Sequence, residues 1–539
     1  MLTAYSLRLT AFMKLEPVIG LEIHVQLKTK SKIFCGCSNR GEFEDPNTTI
    51  CPVCTGQPGV LPVINKKAIE MGVLASLALN CRINEISKFD RKQYFYPDLP
   101  KGYQISQFDK PVGENGFVEI DVPLRSKVLS ERSESKGNNS TRTARVGITR
   151  LHLEEDAAKN THSPGGKHTL VDYNRGGTPL AEIVSEPDIR SPQEAKIFLQ
   201  ELRKIMRYLG VSNADMEKGQ LRCDANISMR EYVEEGNEKE GWALQLNPKT
   251  EIKNLNSFRA VERALEYEIA RQRKHWEETG TPSDIQATRG WDDAKGVTTE
   301  QRTKEGSSDY RYFPEPDLPP MNLTEIERAQ KEMLPELPRA RKFRFKDEYG
   351  FSLADAEILT EEPYKADYTE RAISELISWL MSMEGIEGTE TEIWDKYGAK
   401  MSKLYSGWFI NKLGGLMMQK KVDIRILKIT PENFAEFITI IYENKISGPN
   451  ALKLLELMME AGEDPSQLIE EHDLGAMGDE NEMDEIIEKV VSEHPSAVAD
   501  YKAGKQTSIM FLVGQVMKES KGKANPEVAK ELLIEKIEK

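Results

Sequence analysis

Residues 18–27 read Val-Ile-Gly-Leu-Glu-Ile-His-Val-Gln-Leu, VIGLEIHVQL. Leu21, Ile23, Val25 and Leu27 alternate with Glu22, His24 and Gln26, and a period of two sends successive side chains to opposite faces of a strand. The segment therefore predicts a strand with one apolar face for a core. Its other face holds a carboxylate and an imidazole two residues apart, although an amphipathic strand with a merely wet face has the same pattern.

Three further segments repeat that arrangement. In ITRLHLEED (148–156), His152 and Glu154 share one face while Leu151 and Leu153 share the other. In LRCDANISM (221–229), Leu221, Cys223, Ala225 and Ile227 alternate with Arg222, Asp224, Asn226 and Ser228. LAEIVSEPD (180–188) sets Glu182 and Glu186 within what reads as a buried strand. If these strands are neighbours, their carboxylates and His24 make a hard, oxygen-rich ligand set suited to Mg2+.

Working outward, residues 16–255 are rich in alternating positions, Gly, Pro and Asn, and predict a sheet-rich domain. Residues 126–144, SKVLSERSESKGNNSTRTA, have no apolar periodicity and predict a surface insertion between two strands. Phe258, Val261, Leu265 and Ile269 recur at helical spacing and predict an amphipathic helix. FPEPDLPP (313–320) can continue neither a helix nor a central strand and marks a boundary. Beyond it the pattern is helical, with a further run of short acidic helices opening at TPENFAEFITIIYENK. The expected organisation is an N-terminal extension over 1–15, a sheet-rich domain over 16–321, a helical domain over 322–428 and a helical tail over 429–539. The extension reads as disordered, or as the product of a start upstream of Met13.

At 539 residues the chain exceeds what one core usually organises. No apolar run approaches the roughly 20 residues of a membrane span. A formal charge of -15 argues against nucleic-acid binding by bulk electrostatics, so any RNA contact must be local. In the tail, Lys518, Lys521 and Lys523 precede Asn525-Pro526, a helix start where RNA phosphate could be met; a solvated loop would read the same way.

Four of the six cysteines form a CxC and CxxC pair, Cys35 with Cys37 and Cys51 with Cys54, separated by 13 residues. Such spacing can close a tetrahedral, structural Zn2+ site and points to a reducing compartment. Cys81 and Cys223 lie in apolar contexts and predict core thiols. No P-loop and no GxGxxG follows a strand, so a phosphate site must be built another way. The turns at 96–106 and 172–180 offer backbone N–H groups together with Lys101 and Arg175; each is equally an ordinary loop with one cation.

EPVIGLEIHVQLKTKSKIFCGC, CPVCTGQPGVLPVIN, YFYPDLPKGYQISQ, TRLHLEEDA, DYNRGGTPLAEIVSEPD, LRCDANIS, TEIKNLNSFRAVERALEYEIARQ and DYRYFPEPDLPP together closely resemble the GatB/GatE family, subunits of aspartyl/glutamyl-tRNA amidotransferases. KISGPNAL and DYKAGKQTSIMFLVGQVMKESKGKANPE resemble that family's tRNA-contacting tail. The resemblance implies an α+β fold: a cradle-shaped catalytic domain, a helical domain and a tail. It implies a carbon–nitrogen ligase with glutamine as nitrogen donor, in which ATP phosphorylates the side-chain carboxylate of Glu-tRNA(Gln) or Asp-tRNA(Asn) and ammonia displaces the phosphate. The ammonia comes from a separate amidase subunit of GatA type, and a small subunit of GatC type braces the heterotrimer, in the cytoplasm. Matching positions carry over Glu22, His24, Glu154 and Glu182 as catalytic or Mg2+-site residues, with Asp224, and Cys35, Cys37, Cys51 and Cys54 as zinc ligands. The space from Pro320 to Thr430 is too short for the extra synthetase-like domain of GatE, which favours GatB. The rival expectation is a zinc-stabilised tRNA-binding module without catalysis.

Overall fold

The computed structural model describes residues 15–124, 141–163, 165–232, 246–283, 285–303, 310–383, 385–476 and 480–538. The expected N-terminal extension lies outside these residues apart from Leu15. So does most of the 126–144 insertion, but Thr141–Ala144 open a long strand.

The strand expected at 18–27 is β1, Leu15–Gln26, and its buried and wetter positions alternate from Ile19 onward. In chain order there follow β2 (Arg82–Ile83), β3 (Asp90–Gln93), β4 (Tyr103–Ser106), β5 (Gly113–Pro123), β6 (Thr141–Glu155) and β7 (Pro179–Ser185). Then come β8 (Leu221–Glu231), β9 (Thr250–Leu255), β10 (Ala287–Asp292), β11 (Val297–Thr303) and β12 (Phe313–Pro314). Nine of them form one sheet in the order β11-β10-β9-β8-β1-β7-β6-β5-β2. Only β9 and β10 pair in parallel. β12, β3 and β4 form a separate small sheet.

One face of the large sheet is apolar. Leu21, Ile23 and Val25 of β1, Leu151 and Leu153 of β6, Ile183 of β7 and Cys223 of β8 are buried there. Three helices supply the other side of this core: α1 (Lys66–Ala78), α2 (Pro192–Tyr208) and α3 (Phe258–Thr279). Each starts on a side-chain cap, at Asn65, Ser191 and Ser257, whose oxygen accepts orphan N–H groups of the first turn. Each fully buried aliphatic side chain contributes about 1.5–3 kcal/mol. With its apolar face committed to these helices, the sheet keeps its polar face available for chemistry.

The chain divides into two compact units between Leu337 and Pro338. The first helix after the Pro-rich stretch, α4 (Thr324–Met333), packs against α1 and so belongs to the first unit. The second unit is helical. Phe345, Tyr405, Phe409, Phe434 and Phe437 share one core, in which Tyr405 stacks on Phe409 at 5.2 Å between ring centroids. That core spans position 429, where the sequence pattern changes. A smaller cluster, from Met483 to Ile537, gathers the last helices, including α5 (Thr507–Glu519) and α6 (Pro526–Glu538). No helix among the described residues is long and apolar enough to cross a membrane.

Candidate functional site

Strand register assembles the site. His24 lies opposite Glu182 on β7 and opposite Arg222 on β8, and Glu182 in turn lies opposite His152 on β6. One row across four strands therefore reads Arg222, His24, Glu182, His152. The row on one side holds Asp224 and Glu22, and the row on the other holds Gln26 and Glu154. Residues two apart on a strand share a face, so all these side chains meet on the surface opposite the core.

The distances bear this out. His24 Nε2 lies 3.4 Å from Glu182, 3.6 Å from Glu154 and 3.9 Å from Glu22. His152 Nε2 lies 3.1 Å from Glu182 and 3.9 Å from Glu154. Ser106 Oγ, from β4, donates to Glu154 at 3.1 Å. Glu154, Glu182 and His152 are buried, and His24 is partly exposed. Burial opposes a charge on His24, but the hydrogen bond and charge of Glu182, with Glu154 and Glu22, outweigh it and lift its pKa to about 9. Burial likewise opposes the Glu182 charge, and His152 and His24 together hold it well below the usual carboxylate range. Glu22 moves the other way, raised by burial and by the nearby Glu182. Three carboxylates with imidazole nitrogens at these spacings make two ligand groups, Glu22/His24/Glu182 and His152/Glu154/Glu182, each close enough to hold a cation.

Cationic side chains surround the group. Lys92, on β3, feels the charges of Glu154 and Glu182 and lies 4.9 Å from the Tyr310 ring. Arg222 pairs with the buried Asp156 at 2.9 Å, and Gln26 donates to the same carboxylate at 3.2 Å. Lys253 pairs with Asp224 and reaches Glu251. Asp224 thus flanks the cluster already joined to a lysine.

Lys101 and Arg175 are placed differently from the sequence expectation of phosphate-facing loops. Lys101 ends on the buried Glu155 carboxylate, at 2.5 Å. Arg175 donates to the carbonyls of Ala157 and Ala158, at 2.9 and 2.8 Å, and faces Asp156 at 3.6 Å. The turn that carries Arg175 also docks the loop between the two cysteine pairs, because Asn174 donates to the carbonyls of Gly41 and Asp45 and accepts from Thr49 N–H.

Cys35, Cys37, Cys51 and Cys54 converge within 4.8 Å of one another. Cys51 and Cys54 Sγ lie 3.9 Å apart, close to the roughly 3.8 Å edge of a tetrahedron with Zn–S bonds of about 2.3 Å. A hydrogen bond from Cys35 brings the Cys54 thiol down to about 4, helped by the Cys51 N–H and the charge of Lys32. The donor set fits a soft or borderline dication. Cys81 and Cys223 are buried among apolar side chains, as expected.

In the second unit, Lys518 closes α5, while Lys521 and Lys523 lie in the loop before α6. Lys523 pairs with Asp473 at 2.7 Å.

The sequence singles out Glu154 and leaves His152 aside as a site residue, though both lie on the same face; only the register shows His152 touching Glu182. Lys92 and Ser106 come from a different sheet, and nothing in FDRKQYF or QISQ marks them. Arg222 was readable on the polar face of β8, but its partner Asp156 was not.

A sheet with one helix-covered face and one carboxylate–imidazole face, next to four converging thiols, defines an α+β domain of enzyme type whose side chains could hold cations. Residues 17–328 match the model of the GatB/GatE catalytic domain, and residues 392–537 match that of the GatB domain. Curated relatives named as the B component of aspartyl/glutamyl-tRNA(Asn/Gln) amidotransferase align over nearly the whole chain. The protein of Carboxydothermus hydrogenoformans is 45% identical, covering 97% of this chain and 99% of the relative. That of Persephonella marina is 44% identical over the same shares, and that of Brevibacillus brevis 43% identical over 97% and 98%. The chain belongs to the GatB/GatE family.

Proposed function

We propose that this chain is the ATP-using, tRNA-binding subunit of a glutamine-dependent, tRNA-dependent amidotransferase, acting in the cytoplasm with an amidase subunit and a small bracing subunit. Glu182 carries the reading: one buried carboxylate contacts both His24 and His152, with Glu22 and Glu154 beside them.

A carboxylate is inert to ammonia until one oxygen becomes a leaving group. The side-chain carboxylate of Glu or Asp on the tRNA attacks the γ-phosphorus of ATP and ADP departs; ammonia then attacks the acyl carbon and expels phosphate. Glu22, Glu154, Glu182 and His24 would hold Mg2+, which neutralises phosphate charge during such a transfer. The chain's own groups orient that centre. Ser106 fixes Glu154, the two imidazoles fix Glu182, and Lys92 and Arg222 set positive charge beside it. Lys101 and Arg175 remain candidates for phosphate contact, each by exchanging a carboxylate partner. Cys35, Cys37, Cys51 and Cys54 would hold Zn2+ as a closed, structural site.

With amidase partner, glutamine, ATP and Mg2+, the chain is expected to convert Glu-tRNA(Gln) or Asp-tRNA(Asn) to the amide with one ADP per amide formed. AMP as the nucleotide product, or no conversion with a competent partner, overturns the reading. Glu22→Ala and Glu154→Ala should abolish amide formation with tRNA binding retained. Activity surviving both changes would favour a binding module without catalysis.

Lys518, Lys521 and Lys523 support an RNA-phosphate contact in the tail, since they gather between the end of α5 and the start of α6 in a chain of net charge -15. Lys518→Glu with Lys521→Glu should weaken tRNA binding and flatten its salt dependence by a slope of about one to two. Filter binding across a salt series measures both, and an unchanged slope places the contact elsewhere.

A further inference from the structure

Among the described residues of the first unit, Lys32 is the largest charged side chain with no exposed surface. Its backbone is fixed at both ends: its N–H donates to the Cys37 carbonyl, and the next N–H, of Ile33, donates to the Gly177 carbonyl, each at 2.9 Å. Its stem runs against Gly177, where a Cβ would come within 3.3 Å of Lys32 Cδ. The ammonium group ends between two acceptors, the Tyr173 carbonyl at 3.2 Å and Cys54 Sγ at 3.8 Å.

A buried ammonium is costly unless an anion compensates it. No carboxylate is among the acceptors of Lys32 in the described residues. Four thiolates around a dication carry a net charge of about -2, and the Lys32 ammonium touches that set at Cys54. The other acceptor, Tyr173, begins the turn that runs into β7, the strand bearing Glu182.

We infer that Lys32 is a positioning residue of the four-thiol centre: it compensates part of the charge of the metal-bound thiolates through Cys54 and ties that centre to the turn preceding the Glu182 strand. This rests on the four thiols being a metal site. A lysine that only braced Tyr173 would leave metal affinity untouched. A thiolate that loses an N–H···S bond becomes more electron-rich, so sulfur-to-metal charge transfer moves to lower energy. Partners beyond the ligand shell typically tune affinity about 10- to 100-fold.

The test uses Lys32→Met in the full chain, which keeps the buried stem and removes only the ammonium. Zn2+ affinity is measured by chelator competition, and the charge-transfer band is read with Co2+ as probe. The expected result is affinity roughly 10- to 100-fold weaker with the Co2+ band at lower energy. Equal affinity and an unshifted band overturn the role of Lys32 while leaving the metal centre standing. A wild-type chain that takes up neither ion overturns both. Should the variant not fold, amine labelling of the wild type read by peptide mass spectrometry decides. Lys32 is expected to be protected when the protein is metal-loaded and labelled several-fold faster after chelation, and equal labelling in both states overturns the inference.

Discussion

Glu182→Gln is expected to reduce amide formation roughly 100- to 1,000-fold, with tRNA binding and folding unchanged. The substitution keeps side-chain volume and removes one negative charge. That charge faces two imidazoles, at 3.4 and 3.1 Å, and belongs to both ligand groups on the sheet face. A neutral amide there would leave each group with one anionic ligand fewer, so a cation that offsets phosphoryl charge would be held less tightly. The control is Glu186→Gln. Glu186 lies four residues on, is exposed and accepts from the Thr149 hydroxyl, so its removal should leave the rate within about threefold, the scale of an ordinary surface change. Rates from the coupled assay, with tRNA binding measured separately, distinguish the outcomes. A Glu182→Gln enzyme within about threefold of wild type would remove this cluster from the chemistry.

The second large effect concerns stability. If the four thiols hold a metal, as proposed, Cys51→Ser with Cys54→Ser should abolish tight metal binding and lower the melting temperature of the first unit. If the free metal stands about a thousandfold above the dissociation constant, binding contributes about 4 kcal/mol. That corresponds to a shift on the order of 10 °C for a unit of this size. Chelation of the wild type should reproduce most of the shift, and the double variant should then show no response to chelator. Metal content by elemental analysis, with calorimetry of both proteins, measures it. An unchanged melting temperature together with four reactive thiols in the folded wild type would make these cysteines simple loop residues. The second unit, with its own aromatic core around Tyr405 and Phe434, should melt independently of metal.

Much of this was legible in the chain because strand alternation is a local rule. VIGLEIHVQL announces both its faces, and Leu21, Ile23 and Val25 are buried while Glu22, His24 and Gln26 are not. The cysteine pairs announce themselves for a similar reason: a CxC and a CxxC bring thiols together through short covalent tethers, and the loop between them only has to return. The helical second half follows from apolar spacing and caps such as Ser447 and Thr430.

Other features were decided by strands distant in sequence. That His24 lies directly opposite Glu182 follows from the register of β1 against β7, far along the chain, and a one-residue slip would turn every side chain to the wrong face. His152 joins Glu182 through the next pairing, and Lys92 arrives from a separate sheet, so neither could be assigned from its own neighbourhood. Arg175 illustrates the converse, since a cation in a Gly-rich turn reads as free for phosphate, and only the fold shows the carbonyls of Ala157 and Ala158 and the carboxylate of Asp156 as its partners. Sequence by itself determined which residue types lie on which face of each strand, because that depends on dihedral periodicity alone. Tertiary structure decided which charges touch, because contact depends on pairing register and on the burial that fixes it.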